Sequence, residues 1–167
     1  MKGASEIIVF ILLFVISVSL FMSAIVWSQG IFTRSNDMAK LNSAENFLNN
    51  LDQKIQNIIK FGGQDSLNYD IAATIEVLDP STIEIRSQFA VDIPNEWINI
   101  SSGYSVISEK LEGTTLRMQL HYPQSQITPY LYTDEIRIAT PLRVYIEKDS
   151  VFTKNDITYV KIKITFK

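Results

Sequence analysis

Few residues in this chain have the type and spacing to do chemistry. There is one histidine and no cysteine. His121 stands in Gln119-Leu120-His121-Tyr122-Pro123. General acid–base catalysis would need a paired carboxylate or a nucleophile beside it, and metal binding would need companion ligands. Neither lies nearby in sequence, so the favoured reading is a half-buried histidine at the end of a strand. Asp134-Glu135, Asp149 and Asp156 are carboxylates in turn-like surroundings. Without a loop of regularly spaced oxygen donors around a glycine, they read as solvated turn residues rather than a Ca²⁺ site. No glycine-rich phosphate loop, G-x-S-x-G or H-E-x-x-H occurs. The lack of cysteine excludes a disulfide framework, thiolate catalysis and cysteine-ligated metal. The sequence therefore points away from an enzyme, and implies neither cofactor nor metal. One modification signal remains: Asn99-Ile100-Ser101 is the single N-x-S sequon, in a stretch from Asn95 to Gly103 that reads as a loop. Trp97, in the same stretch, is either a core plug or an exposed tip, and solubility favours the plug.

What the chain does offer is an element that must be covered. Ile7 to Trp27 is twenty-one consecutive uncharged residues, relieved only by Ser17, Ser19 and Ser23. As a helix it is about 31 Å long, the thickness of a hydrocarbon core. Lipid supplies no backbone hydrogen bonds, so a lone segment there must be helical. The run is too long for a conventional signal peptide, and Trp27-Ser28-Gln29 does not resemble its cleavage site. A retained signal anchor is the better reading. Lys2 argues for a cytoplasmic N-terminus, while Arg34 and Lys40 argue the other way. Ser19, Ser23 and Ala24 form a small-residue face that suits close helix packing. The same serines are equally explained by bonding back to carbonyls four residues earlier. Gly30 offers a bend.

The next segment keeps a helical period. Leu41, Ala44, Leu48, Leu51, Ile55 and Ile58 step by three and four, with Phe47, Ile59 and Phe61 widening the stripe. Gly62-Gly63 is the stop, and Lys60 suits the last turn. A stripe this broad more often faces its own domain; the alternative is packing against helices of neighbouring copies.

Beyond Gly63 the texture turns to short β-branched and aromatic runs. Strands are expected at Tyr69–Leu78 and Thr82–Arg86, paired as a hairpin across Asp79-Pro80-Ser81. Further strands are expected at Ser105–Lys110, Thr114–Tyr122, Glu135–Ala139, Leu142–Lys148 and Ile157–Phe166, with turns at Leu111-Glu112-Gly113, Pro123, Thr133-Asp134 and Lys148-Asp149-Ser150. The predicted class is α+β. A long N-terminal helix, transmembrane and then amphipathic, leads into an antiparallel all-β sandwich-like domain. The segments are 1–30 (anchor), 31–63 (helical stalk) and 64–167 (β domain). Net charge is −3 for the chain and −4 for residues 64–167, without a Lys/Arg cluster, which gives no reason to expect nucleic-acid binding.

Lys2-Gly3 directly before the apolar helix, the helix running into a polar amphipathic stretch, and the terminal β domain resemble the archaeal type IV pilin-like superfamily of pilins, archaellins and archaellum stator-type proteins. The resemblance covers the architecture of the whole chain, and individual residues only over about the first thirty. It implies cleavage by a prepilin peptidase between Gly3 and Ala4 after the Lys2-Gly3 pair. It further implies a mature helix that anchors in the membrane before assembly and forms a filament core afterwards. Bacterial-type pilins carry an acidic residue fifth after the cut, whereas Glu6 would be third. A carboxylate near a helix N-terminus is favoured by the dipole in any case. The expected assembly face is Glu6, Ser19, Ser23 and Ala24. The expected function is a structural or adhesive pilin-like subunit, a homo-oligomer through its N-terminal helix. Its location is the cell membrane with the C-terminal domain outside, or a surface filament. The alternatives are a monomeric or low-order anchored envelope protein, such as a stator that holds a rotating filament to the cell envelope, and a ligand-sensing ectodomain; an envelope protein or surface ligand is a further candidate partner.

Overall fold

The computed structural model describes residues 2–90, 94–135 and 138–167, with backbone alone for 2–6, Ser102, Ile138 and Ala139. One helix, α1 (Lys2–Phe61), runs unbroken through Gly30, so the expected bend does not interrupt it. It ends at the two glycines. Gly62 and Gly63 have φ of 74° and 90°, and the Gly62 amide donates to the Ile58 carbonyl at 2.8 Å, a left-handed cap that only glycine adopts without strain.

Ten strands follow: β1 (Gln64–Asn68), β2 (Thr74–Asp79), β3 (Thr82–Gln88), β4 (Ile98–Ser102), β5 (Val106–Glu112), β6 (Thr115–His121), β7 (Ile127–Tyr132), β8 (Ile138–Ala139), β9 (Arg143–Lys154) and β10 (Ile157–Phe166). They form a four-stranded sheet, β1-β9-β10-β7, and a six-stranded sheet, β4-β5-β6-β3-β2-β8. All pairings are antiparallel except β7 with β10, which is parallel.

Several expectations are corrected. The run Tyr69–Leu78 is not one strand: β1 ends at Asn68, the chain turns through Tyr69–Ala73, and β2 starts at Thr74. Ile71, Ala73 and Ile75 are nevertheless buried together. The stretch Asn95–Gly103 contains a strand, β4. Of Glu135–Ala139, Ile136 and Arg137 lie outside the described residues, and β8 is only Ile138–Ala139. β7 went unexpected because Pro129 lies within it. Proline lacks a ladder donor and is tolerated on an edge strand, which β7 is. Lys148-Asp149-Ser150 is a bulge rather than a turn: Ile162 pairs with Lys148 and Lys161 with Ser150, leaving Asp149 as the extra residue. The turn comes at Asn155-Asp156, both with positive φ, as a tight two-residue hairpin requires.

A single core joins the layers. α1 touches β1 and β9 of one sheet and β5 and β6 of the other. Ala44, Leu48, Leu51, Ile55 and Ile58 are buried in it, Leu41 is partly buried against it, and Phe47 meets Tyr69 edge-on with ring centroids 5.0 Å apart. Phe61, the last residue of the helix, is solvent-exposed. The sheets contribute Ile75, Ile83, Ile85, Met118 and Leu120 from one side and Val144, Ile146, Ile162 and Ile164 from the other. The stalk stripe is therefore spent on its own domain.

Candidate functional site

α1 changes character at one residue. From Ile7 to Trp27 every residue is exposed, and Asp37 is the first buried position that follows them along the helix. Among the exposed span, seventeen are large apolar side chains. Each is worth about 1.5–3 kcal/mol when taken out of water. Together they far exceed the roughly 5–15 kcal/mol that holds a typical domain folded. No part of the described chain covers them. Among the described residues this is the one helix long and apolar enough to cross a membrane. Trp27 closes the apolar run where an interfacial aromatic belongs, and Ile31 and Phe32 extend it by one further turn.

Asp37 fixes the boundary. Its carboxylate accepts the Ala90 amide at 2.7 Å and the Lys40 ammonium at 3.0 Å, tying α1 to the chain that leaves β3. Asp37 is also one step ahead of Leu41 on the same stripe, so its spacing was a signal that it faces the domain. Further on, Lys54 pairs with Asp65 at 2.6 Å. With Lys54 beside Asp65 and Phe47 beside Tyr69, β1 runs back along the helix toward the span.

The predicted site residues fall as follows. Lys2, Gly3, Ala4 and Glu6 are helical in backbone, and nothing is described of their side chains. Ser19 and Ser23 are exposed, with hydroxyls donating to the carbonyls of Val15 (2.8 Å) and Ser19 (2.9 Å), and Ala24 is exposed beside them. Both hydroxyls are thus satisfied inside the helix, leaving a narrow, small-residue surface. Asn99 is exposed on the edge strand β4, next to a bulge at Ile100, with its Oδ1 accepting from Ser108 at 3.1 Å. Trp97 is not a plug: it is 41% exposed and lies 5.8 Å from the Arg117 guanidinium. His121 is exposed rather than half-buried, its Nδ1 3.0 Å from the Thr82 hydroxyl. Asp134 pairs with Lys163 at 2.6 Å, Asp149 with Lys161 at 3.2 Å, and Glu135 accepts the Phe166 amide at 3.0 Å. Among the described residues no three metal-binding side chains gather.

The outer face of the six-stranded sheet holds an ion network that sequence reading missed. Glu84, fully buried, accepts from Arg117 at 2.8 Å, from Gln119 at 2.6 Å and from Arg86. Arg86 also reaches Glu76 at 2.6 Å, and Arg117 reaches Glu112 at 2.8 Å. Burial pushes the Glu84 carboxyl up, but the bonds from Arg117, Gln119 and Arg86 outweigh it and hold the group below the usual range. On the inner face, burial and the facing Glu45 carboxylate on α1 push Glu109 up. On the outer face the two guanidiniums are shared among three carboxylates and cross-link β2, β3, β5 and β6.

With this geometry in view, comparison with family models, with curated proteins and with solved structures finds no match.

Proposed function

We propose that the protein is a membrane-anchored surface protein that assembles through its N-terminal helix, as a pilin-like subunit of a cell-surface filament of the archaeal type. The observation that carries this reading is the uncovered span Ile7–Trp27, continuous in one helix with the core of the β domain. Such a rod is stable in water only when lipid or sister copies surround it. Both environments accept the same apolar surface, so one helix serves before and after assembly. The rigid connection through Asp37 makes the helix and domain move as one body, which suits a subunit that transmits load along a filament. The domain faces outward, and processing by a prepilin peptidase between Gly3 and Ala4 belongs to the same reading.

A second reading is an anchored envelope protein of low order. It is favoured by the span's length, which matches one bilayer and leaves lipid alone sufficient to cover it. Shearing surface appendages from cells and sequencing their main protein separates the two. The filament reading expects this chain in the sheared fraction, beginning at Ala4. Retention in membranes with an intact Met1-Lys2-Gly3 start contradicts it and leaves the anchored reading.

A further inference from the structure

At the end of the domain farthest from the span, the outer face of the four-stranded sheet gathers aromatic rings. β1 runs back toward the span, and β9 is antiparallel to β1, so β9 runs outward; Lys148 donates its amide to Gly63 at the helix end. The far half of the β9–β10 hairpin, residues 149–161, projects beyond α1, about 20 Å along the strand to Lys154. There Phe152 and Tyr159 face each other across the hairpin with ring centroids 5.2 Å apart and planes at 14°. Tyr130 of β7 stands at 70° to Phe152, 5.7 Å away. The rings form two walls of an open groove of about 720 Å³, completed by Pro80, Ser150, Lys154 and Lys161.

A cross-strand pair such as Phe152–Tyr159 stabilises a hairpin by itself. That role asks nothing of Tyr130, nor of the charges. The lining carries two lysines and no carboxylate, in a chain of net charge −3. Lys161 is steadied by Asp149, which lies outside the lining; among the described residues Lys154 has no ion-pair partner. Flat rings offer apolar faces to the C–H surface of a pyranose. The Tyr130 and Tyr159 hydroxyls and Ser150 offer hydrogen bonds, and the Lys154 ammonium, with Lys161 held beside it by Asp149 and the Tyr132 ring, offers charge complementarity to a carboxylate or sulfate.

From this we infer that the groove of Tyr130, Phe152, Tyr159, Lys154 and Lys161 binds an acidic polysaccharide. The site fits the outward-facing domain proposed above, but the binding test does not depend on filament assembly. Full-length protein in neutral detergent micelles is titrated by calorimetry with a polygalacturonate oligomer, with dextran and polyglutamate as controls. Saturable binding of polygalacturonate that weakens with added salt is expected. Lys154→Gln and Tyr130→Ala each lower affinity by about fivefold or more. An unchanged far-UV spectrum shows that the fold is kept; Lys154 is exposed, so its variant disturbs no packing. No binding, affinity unchanged in both variants, or equal binding of dextran would overturn the inference. Equal binding of polyglutamate would overturn the sugar and leave only an anion-binding surface.

Discussion

Leu51→Ala tests the division of α1 most sharply. Leu51 is fully buried between the sheets, flanked on its stripe by Leu48 and Ile55. The substitution removes three carbons from a packed interior. The loss combines the transfer energy of those atoms with the cavity left behind, and for a leucine at a fully closed site it amounts to about 3–4 kcal/mol. For a folded unit running from Asp37 to Lys167, each kcal/mol moves the midpoint by about 3–5 °C, so Tm should fall by about 9–20 °C. Leu20→Ala is the control. Leu20 is 67% exposed and touches nothing in the domain, so the same chemical change there should leave the domain's midpoint within about 2 °C. Both variants are heated in detergent micelles and followed by near-UV circular dichroism, which reports the packed aromatic side chains. Equal, small shifts for the two would mean that the stalk stripe is not spent on its own domain, and the account of α1 would fail with it.

Other outcomes follow from the same structure. Glu84 has a depressed carboxyl, so it contributes stability above its unfolded value of about 4.3 that is lost as pH falls through the folded value. Glu84→Gln should cost about 1–3 kcal/mol at pH 7, because two guanidiniums lose charge-assisted bonds to a buried carboxylate while keeping Glu76 and Glu112. The difference from the parent should shrink below pH 4, and denaturant titrations at the two pH values read it. Asp156→Gly relieves a left-handed non-glycine residue in the β9–β10 turn and should stabilise by about 0.5–1 kcal/mol, read as a raised denaturation midpoint. If Asn99 is a glycan acceptor, the peptide containing it from native membranes carries added mass; an unmodified peptide removes the assignment.

Much of this architecture was legible because strong periodicity leaves little choice. The three-four spacing from Leu41 to Ile58 fixed a buried helix face, Gly62-Gly63 marked its end, and the alternation of Ile157–Phe166 defined β10 to the residue. The rest depended on contacts between distant segments. β7 takes its ladder from a parallel partner some thirty residues on, and its Pro129 argues against a strand to any local reading. Asp149 reads as a turn residue until Lys161 and Ile162 are seen to pair around it. Glu84 alternates innocently in sequence, and its burial arises only when Arg117 and Gln119 arrive from β6. The same is true of the aromatic groove, whose rings come from three strands. The span itself was plain from its lack of charge. What covers it is a property of its surroundings and not of the chain.

The central claim is that residues 7–27 are shielded by something other than this chain, while residues past Asp37 belong to its core. Because the protein has no cysteine, single cysteines at Leu20, Asn50 and Leu51 can be read without background using a membrane-impermeant maleimide on intact cells. The account predicts rapid labelling at position 50, none at position 20 until lipid or filament is dissolved, and none at position 51 until the domain unfolds. Labelling at position 20 as fast as at position 50 on undisturbed cells would contradict it.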